Sequence, residues 1–153
     1  MNITYQVEKY ADVKEELEPL AIAHHLEEDP RKETTSIDID WEMYSALEDT
    51  GSFILVTARD GETLVGYLSF IISETPHIKG YLQAVSDALF IDKAFRGKEV
   101  ASNLIKLVEE VLSGVGVDWM VLVFPSNERS EVLMNRLGYN KTDVMYGKSL
   151  GEN

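Results

Sequence analysis

Cysteine is absent from this chain of 153 residues. Disulfides, thiolate metal sites and a cysteine nucleophile are thereby excluded. Cations are scarce: 14 Lys and Arg stand against 27 Asp and Glu, a formal charge of −13. A surface of that sign repels nucleic acid and anionic membrane and attracts cationic partners. No run approaches the roughly 18 apolar residues of a membrane span. No basic start followed by an apolar run opens the chain, so the expected compartment is the cytoplasm. His24 and His25 are neighbours and would leave a helix on different faces, so no metal site is expected. What remains is ordinary for one globular domain over residues 1–153: 44% apolar and 27% charged residues.

The acid is concentrated early, from Glu15 to Asp49. Ile3 to Val7 reads as a short strand. Asp12 is the expected N-cap of a helix with Val13, Leu17, Leu20 and Ala21 on one face. Glu27 to Asp38 is polar and reads as a loop. Asp40 caps a second helix, Trp41 to Leu47, stopped by Gly51. Phe53 to Ala58 and Leu64 to Ser73 flank Asp60-Gly61, a strong hairpin signal. Tyr81 to Ile91 forms the next strand, with a polar break at Gln83, Ser86 and Asp87. A helix to about Leu112 follows. Trp119 to Phe124 is an unbroken apolar run, as in a strand buried on both faces. A helix from Glu128 to Arg136 and a last strand, Tyr139 to Lys148, complete the order. The expected fold is α/β (α+β): a mixed, mostly antiparallel sheet of six to seven strands with helices on both faces.

One segment is out of character with the acidic chain. At 14 cations in 153 residues, a six-residue window should hold about 0.5, yet Lys93 to Lys98 holds three. They fall between an apolar strand and a helix start, where the dipole disfavours cations. A strand, a basic turn containing Gly97 and a helix N-terminus together suit a phosphate, with amides and cations facing it. The plain alternative is a solvated surface turn.

These residues resemble the GNAT acetyltransferases, among them the GNAT-like proteins of phage genomes. Arg96-Gly-Lys-Glu-Val-Ala101 is similar to the family's pyrophosphate loop, (Gln/Arg)-x-x-Gly-x-(Gly/Ala). Asn127 through Tyr139 is similar to its Asn-x-x-Ala-x-x-Leu-Tyr-x-Lys-x-Gly-Phe stretch. The resemblance implies acetyl-CoA as cofactor, and transfer of its acetyl group to a primary amine of a cationic small molecule or peptide. It implies that amides of Arg96, Gly97, Lys98, Glu99, Val100 and Ala101 hold the pyrophosphate. It places the pantetheine arm along Leu89, Phe90 and Ile91, with Asn127 across from it. Two residues depart from the pattern. Glu99 stands where the family usually has Gly. Met134 stands where it usually has the Tyr that protonates the departing thiolate, and Met donates no proton.

Acetylation of an amine needs a group to take a proton from the ammonium. Asp87, in a mostly apolar strand, is the first candidate, as base or as amine-binding carboxylate. His77, in the connector before that strand, is the second. Tyr139, or Tyr146, could replace the missing proton donor. A homodimer is compatible with the sequence. The rival expectation is a catalytically weak or inactive module of the same fold that binds acyl-CoA or a partner.

Overall fold

Residues 2–125 and 127–151 are described by the structure, a computed structural model. Their order is β1 (Ile3–Val7), α1 (Tyr10–Glu28), α2 (Trp41–Asp49), β2 (Phe53–Asp60), β3 (Thr63–Glu74), β4 (Leu82–Ile91), α3 (Val100–Gly114), β5 (Trp119–Val121) and α4 (Glu128–Arg136). The strands form one sheet in the order β1-β2-β3-β4-β5. Every pairing is antiparallel except β4 with β5, which run parallel. No helix among the described residues is long and apolar enough to cross a membrane.

Strand alternation builds two cores. On β2, Val56 and Ala58 face α3, whose Val100, Leu104, Ile105, Val108 and Leu112 recur at helical spacing. Phe53 and Leu55 face the other way, onto Tyr10, Val13 and Leu17 of α1 and onto Trp41 and Tyr44 of α2. The expected mixed sheet with helices on both faces is therefore present.

Two β-bulges break the alternation. One lies opposite Ala58 and Arg59, where Val65 of β3 is the extra residue. The other lies opposite Ser69 and Phe70: Ser69 pairs with Ala88 and Phe70 with Ser86, which leaves Asp87 as the extra residue of β4. A bulge exchanges the faces for all residues beyond it. Ala84 accordingly faces α3, whereas Ala88 and Phe90 face α1 and α2.

Three expectations are corrected. The sheet has five strands among the described residues, not six or seven. Residues 140–150 form no strand, and Val144, Met145, Tyr146 and Leu150 there are exposed. The alternation of Val144 and Tyr146 suits a strand, but a strand also needs a paired edge. Secondly, the run Trp119 to Phe124 pairs only through Val121 and sits at the sheet's edge, with Trp119 exposed. An apolar run reads as buried on both faces only if the sheet continues past it. Thirdly, α1 begins at Tyr10 after Lys9 and runs on to Glu28 with Pro19 inside it. Asp12 does not cap it. The Tyr10 amide donates instead to Glu48 Oε2 of α2 at 2.7 Å. Asp40 caps α2 as expected, accepting from the Met43 amide at 2.9 Å.

Arg59 fastens β1 and α1 to β2. Its guanidinium donates to Glu8 at 3.0 and 3.2 Å, to Glu16 at 2.8 and 3.1 Å, and to the Glu62 carbonyl at 2.6 Å. Burial pulls the Glu8 carboxyl upward, but hydrogen bonds from Thr57 and Arg59 outweigh it and hold the group below its usual range. The bond from Arg59 likewise lowers Glu16. Both folded values lie below the unfolded ones, so this stabilisation is complete above the ordinary carboxylate range and is lost as pH falls through the folded values. Arg59→Met should cost about 3 kcal/mol near neutral pH, because it leaves Glu8 partly buried and unpaired. The gap from wild type should narrow below about pH 4. Urea midpoints at neutral and acidic pH check this; a gap independent of pH would assign the effect to packing alone.

Candidate functional site

The site grows from the place where β4 and β5 separate. Their ladder runs from Gln83 with Trp119 to Val85 with Val121. Just beyond it, the Val123 amide donates to Ser86 Oγ at 2.8 Å. No ladder pair follows among the described residues, so β4 from Ser86 to Ile91 lacks a strand partner on that side. Leu89, Phe90 and Ile91 lie in this open stretch.

The chain then turns directly into α3. Asp92 Oδ1 accepts from the Ala94 amide at 3.0 Å, which starts a short 3₁₀ turn, Lys93–Phe95. Gly97 has φ 77° and Glu99 φ 61°, both left-handed. Glu99 sits at the N-cap of α3, and its exposed side chain caps nothing. A helix start leaves its first N–H groups without backbone partners, and here no side chain of the cap residue takes one. Val100 is buried beneath this turn and Ala101 is half-buried. Backbone amides, more than side chains, are what Arg96 to Ala101 can offer an anion.

Arg96 is committed elsewhere. Its Nε donates to the Ile91 carbonyl at 3.0 Å. Its two terminal nitrogens grip Glu27 of α1 at 2.5 and 2.7 Å. The guanidinium lies 5.3 Å from the Phe90 ring centre, and it holds the Glu27 carboxyl below the usual range. Lys98 Nζ reaches the Ala94 carbonyl at 3.4 Å. Asn127 is the N-cap of α4: its Oδ1 accepts from the Ser130 amide at 2.9 Å, and its Nδ2 donates to the Pro125 carbonyl at 3.2 Å. It starts α4 on the β5 side of the opening.

On the other face, the bulge presents Asp87 at the edge of a cavity of about 60 Å³, framed by Tyr10, Tyr44, Phe53, Tyr67 and Ser69. Tyr44 Oη donates to Asp87 Oδ2 at 2.6 Å, and Ser69 Oγ donates to the same oxygen at 3.4 Å. Burial first, then the hydrogen bond to Asp87 and its charge, push the Tyr44 phenol far above its ordinary value, so it stays a donor. Tyr10 rises through burial and then the Asp87 charge. The result is a carboxylate aimed by two hydroxyls and backed by aromatic rings, an arrangement suited to an ammonium group.

The other expected residues lie apart from Asp87. His77 is exposed in the turn before β4. The strand rise puts Leu82, already five residues past it, about 17 Å from Asp87. Tyr139 donates to Glu109 Oε1 at 2.7 Å and borders a second cavity with Met120 and Trp119. Glu109 is nine residues into α3, roughly 14 Å from the helix start. Met134 is half-buried and packs on the α3 core, and Tyr146 is 94% exposed. Met134 and Tyr139 pack on the same core as Leu89 and Ile91 of the open stretch.

The segment from His24 to Asp29 reads from the sequence as a roof over the acceptor pocket, but the placement of His24 itself was not foreseen. The His24 ring stacks on Phe90, with centroids 5.2 Å apart and planes at 24°. Its Nε2 meets Glu28 Oε2 at 2.8 Å. His25 turns away, to Asp29 and to the Thr35 carbonyl at 2.8 Å. The available signal was the spacing of His24 and Glu28, four apart on a helix. A loop beginning at Glu27 conceals that spacing, and α1 extends past it.

A sequence profile of the acetyltransferase (GNAT) family matches residues 12–139. No curated protein matches the chain by sequence. Among solved structures, an aminoglycoside acetyltransferase from an uncultured soil metagenomic sample superposes with a TM-score of 0.77 at 19% identity, covering 99% of this chain and 100% of that one. Glucosamine-6-phosphate N-acetyltransferase from Arabidopsis thaliana gives 0.73 at 11% identity, covering 99% and 100%. A ribosomal-protein-alanine N-acetyltransferase from Brucella melitensis biovar Abortus 2308 gives 0.70 at 18% identity, covering 98% and 100%. At such identities the likeness concerns the fold.

Glu99 is the one residue other than glycine in the left-handed region among those described. Glycine adopts that conformation without the side-chain clash. Glu99→Gly should therefore stabilise the chain by about 1 kcal/mol, raising the melting temperature by about 2–4 °C. A fall in melting temperature would mean that the carboxylate makes a stabilising contact.

Proposed function

The chain belongs to the acetyltransferase (GNAT) family, and from that membership we propose that it transfers the acetyl group of acetyl-CoA to a primary amine of a cationic small molecule or peptide. The observation that carries this reading is the order along β4. A hydroxyl-aimed carboxylate at the bulge lies in a strand stretch that is open on its β5 side and runs into an open helix start.

When bound, acetyl-CoA would supply an activated acyl carbonyl with a thiol as leaving group. The amides from Arg96 to Ala101, helped by the α3 dipole, would hold its pyrophosphate. Leu89 to Ile91 would hold its arm, and a backbone N–H near Phe90 or Ile91 would polarise the carbonyl. Asp87 would take the ammonium of the acceptor, with Tyr44 and Ser69 fixing the carboxylate. Its single position favours anchoring one amino group over gripping several. The surface charge of −13 would draw a cation toward it.

Met134 favours a second reading, a protein that binds acyl-CoA with little turnover. A thiol of pKa about 8.5 leaves tolerably without help, so loss of a proton donor would slow the reaction, typically by 10²–10⁴-fold.

Binding and thiol release together test this. Acetyl-CoA at ~100 times its Kd should stabilise the fold by about 2.7 kcal/mol. A melting scan without a shift would remove the cofactor assignment. CoA thiol should appear on addition of at least one cationic amine from a panel, and binding without release would favour the second reading. Asp87→Asn should raise the acceptor KM about tenfold or more while leaving the CoA-induced shift intact. An unchanged KM would take the amine away from Asp87.

A further inference from the structure

The acetyltransferase reading requires that the acceptor's ammonium lose a proton. Asp87, shared with two hydroxyls, is built to hold charge, and the other expected base, His77, lies far along the chain. We propose that His24, oriented by Glu28, is the general base of the acetyl transfer, an inference that rests on the reading above.

The geometry supplies two supports, and the electrostatics a third. First, the His24 imidazole is stacked on Phe90, within the open stretch of β4 and in the core whose cavity Asp87 also borders. Second, Glu28 Oε2 lies 2.8 Å from Nε2, close enough for an N–H donor. A carboxylate only accepts, so it fixes the neutral ring with its proton on Nε2 and its lone pair on Nδ1. A base oriented by a third group is the general arrangement of activating pairs. Third, the two carboxylates act on one spot: the buried Tyr67 phenol is pushed up first by burial, then by the charges of Asp87 and Glu28.

The charged and titratable groups around the ring come from every neighbouring element. Glu27 and Glu28 lie on α1, Asp87 on β4 and Tyr67 on β3. Arg96 and Lys93 come from the loop, and Glu27 feels both of them as well as His24. Arg96 is compensated by Glu27. Imidazole is the side chain whose charge ordinarily changes between pH 5 and 8, which suits a base at neutral pH.

The step balances as follows. The ammonium bound at Asp87 gives one proton to His24 Nδ1. The freed nitrogen lone pair attacks the thioester carbonyl carbon. The C–S bond breaks and its electron pair leaves on sulfur. The second nitrogen proton passes to that sulfur, giving amide and CoA thiol. The imidazolium then returns its proton to water.

The variants His24→Asn and Glu28→Gln, with wild type, make the test. His24→Asn should lower kcat about 100-fold, with acceptor KM and the CoA-induced melting shift within about twofold of wild type. The acidic limb of the pH–rate profile should vanish in it. Added imidazole should restore turnover in His24→Ala, which a purely structural role would not allow. Glu28→Gln keeps the ring and should lower kcat less; it carries the test if the His24 variants do not fold. Without any ligand, nitrogen NMR of the three histidine rings should show neutral His24 protonated on Nε2. Four results would overturn the proposal: wild-type kcat in His24→Asn, an acidic limb that persists, a loss of turnover that imidazole does not restore, or a ring protonated on Nδ1. Wild type that binds CoA but acetylates no amine would overturn the enzymatic reading itself, and the base with it.

Discussion

One extra residue in β4 sets the rest of this site in place. Strand geometry sends alternate side chains to opposite faces. Had β4 run without interruption, Phe90 would share a face with Ala84 and point into the α3 core. The bulge at Asp87 exchanges the faces. Phe90 then meets α1 and α2, and Leu89 and Ile91 turn toward α3. The same irregularity leaves Asp87 outside the regular ladder, where Tyr44 reaches it from α2. Carboxylate and aromatic platform are therefore two consequences of a single insertion in the register, and both fall where β5 has left β4.

The end of α1 makes use of that platform. Phe90 receives His24 on its ring and has the Arg96 guanidinium close by. Arg96 in turn holds Glu27, one helical turn from His24. Four residues from α1, β4 and the loop before α3 thus form one connected cluster. It joins the α1 layer to the turn that begins α3. Displacing any member would shift the others, because stacking and a bidentate ion pair are both directional.

Much of this fold was legible in the sequence, for identifiable reasons. The Asp60-Gly61 hairpin, Asp40 as a cap and the Glu128–Arg136 helix follow from local chemistry, and each appears in the structure. The helix after the basic turn was legible from the 3.6-residue spacing of its apolar face. The failures share another cause. Whether Tyr139 to Lys148 pairs, or how far Trp119 to Phe124 is covered, depends on neighbours that periodicity does not report. The cap of α1 is Glu48, distant in sequence, so no local pattern marks it. At the candidate site, Asp87 was visible as a charge in an apolar strand, but its partner Tyr44 is 43 residues away. The pairing of His24 with Glu28 was hidden by a helix boundary placed two residues early.

The electrostatics of the site bear on how an acidic chain could hold an anionic cofactor. The cations of the basic turn suggest neutralisation by side chains, yet Arg96 is matched by Glu27 and adds little net charge there. Glu99 adds a negative group at the helix start itself. Besides Lys93 and Lys98, what remains favourable is directional: left-handed Gly97 and Glu99 turn the chain so that α3 begins with uncapped amides. Fixed backbone dipoles need no mobile side chain to be ordered, so they bind an anion at small entropic cost. They also keep their orientation whatever the net charge of the surface. That separation explains how acceptor and cofactor, of opposite charge, could use one short strand. In the proposed reading, the carboxylate of Asp87 would serve the cation at the bulge, and oriented amides would serve the anion where the strand gives way to α3.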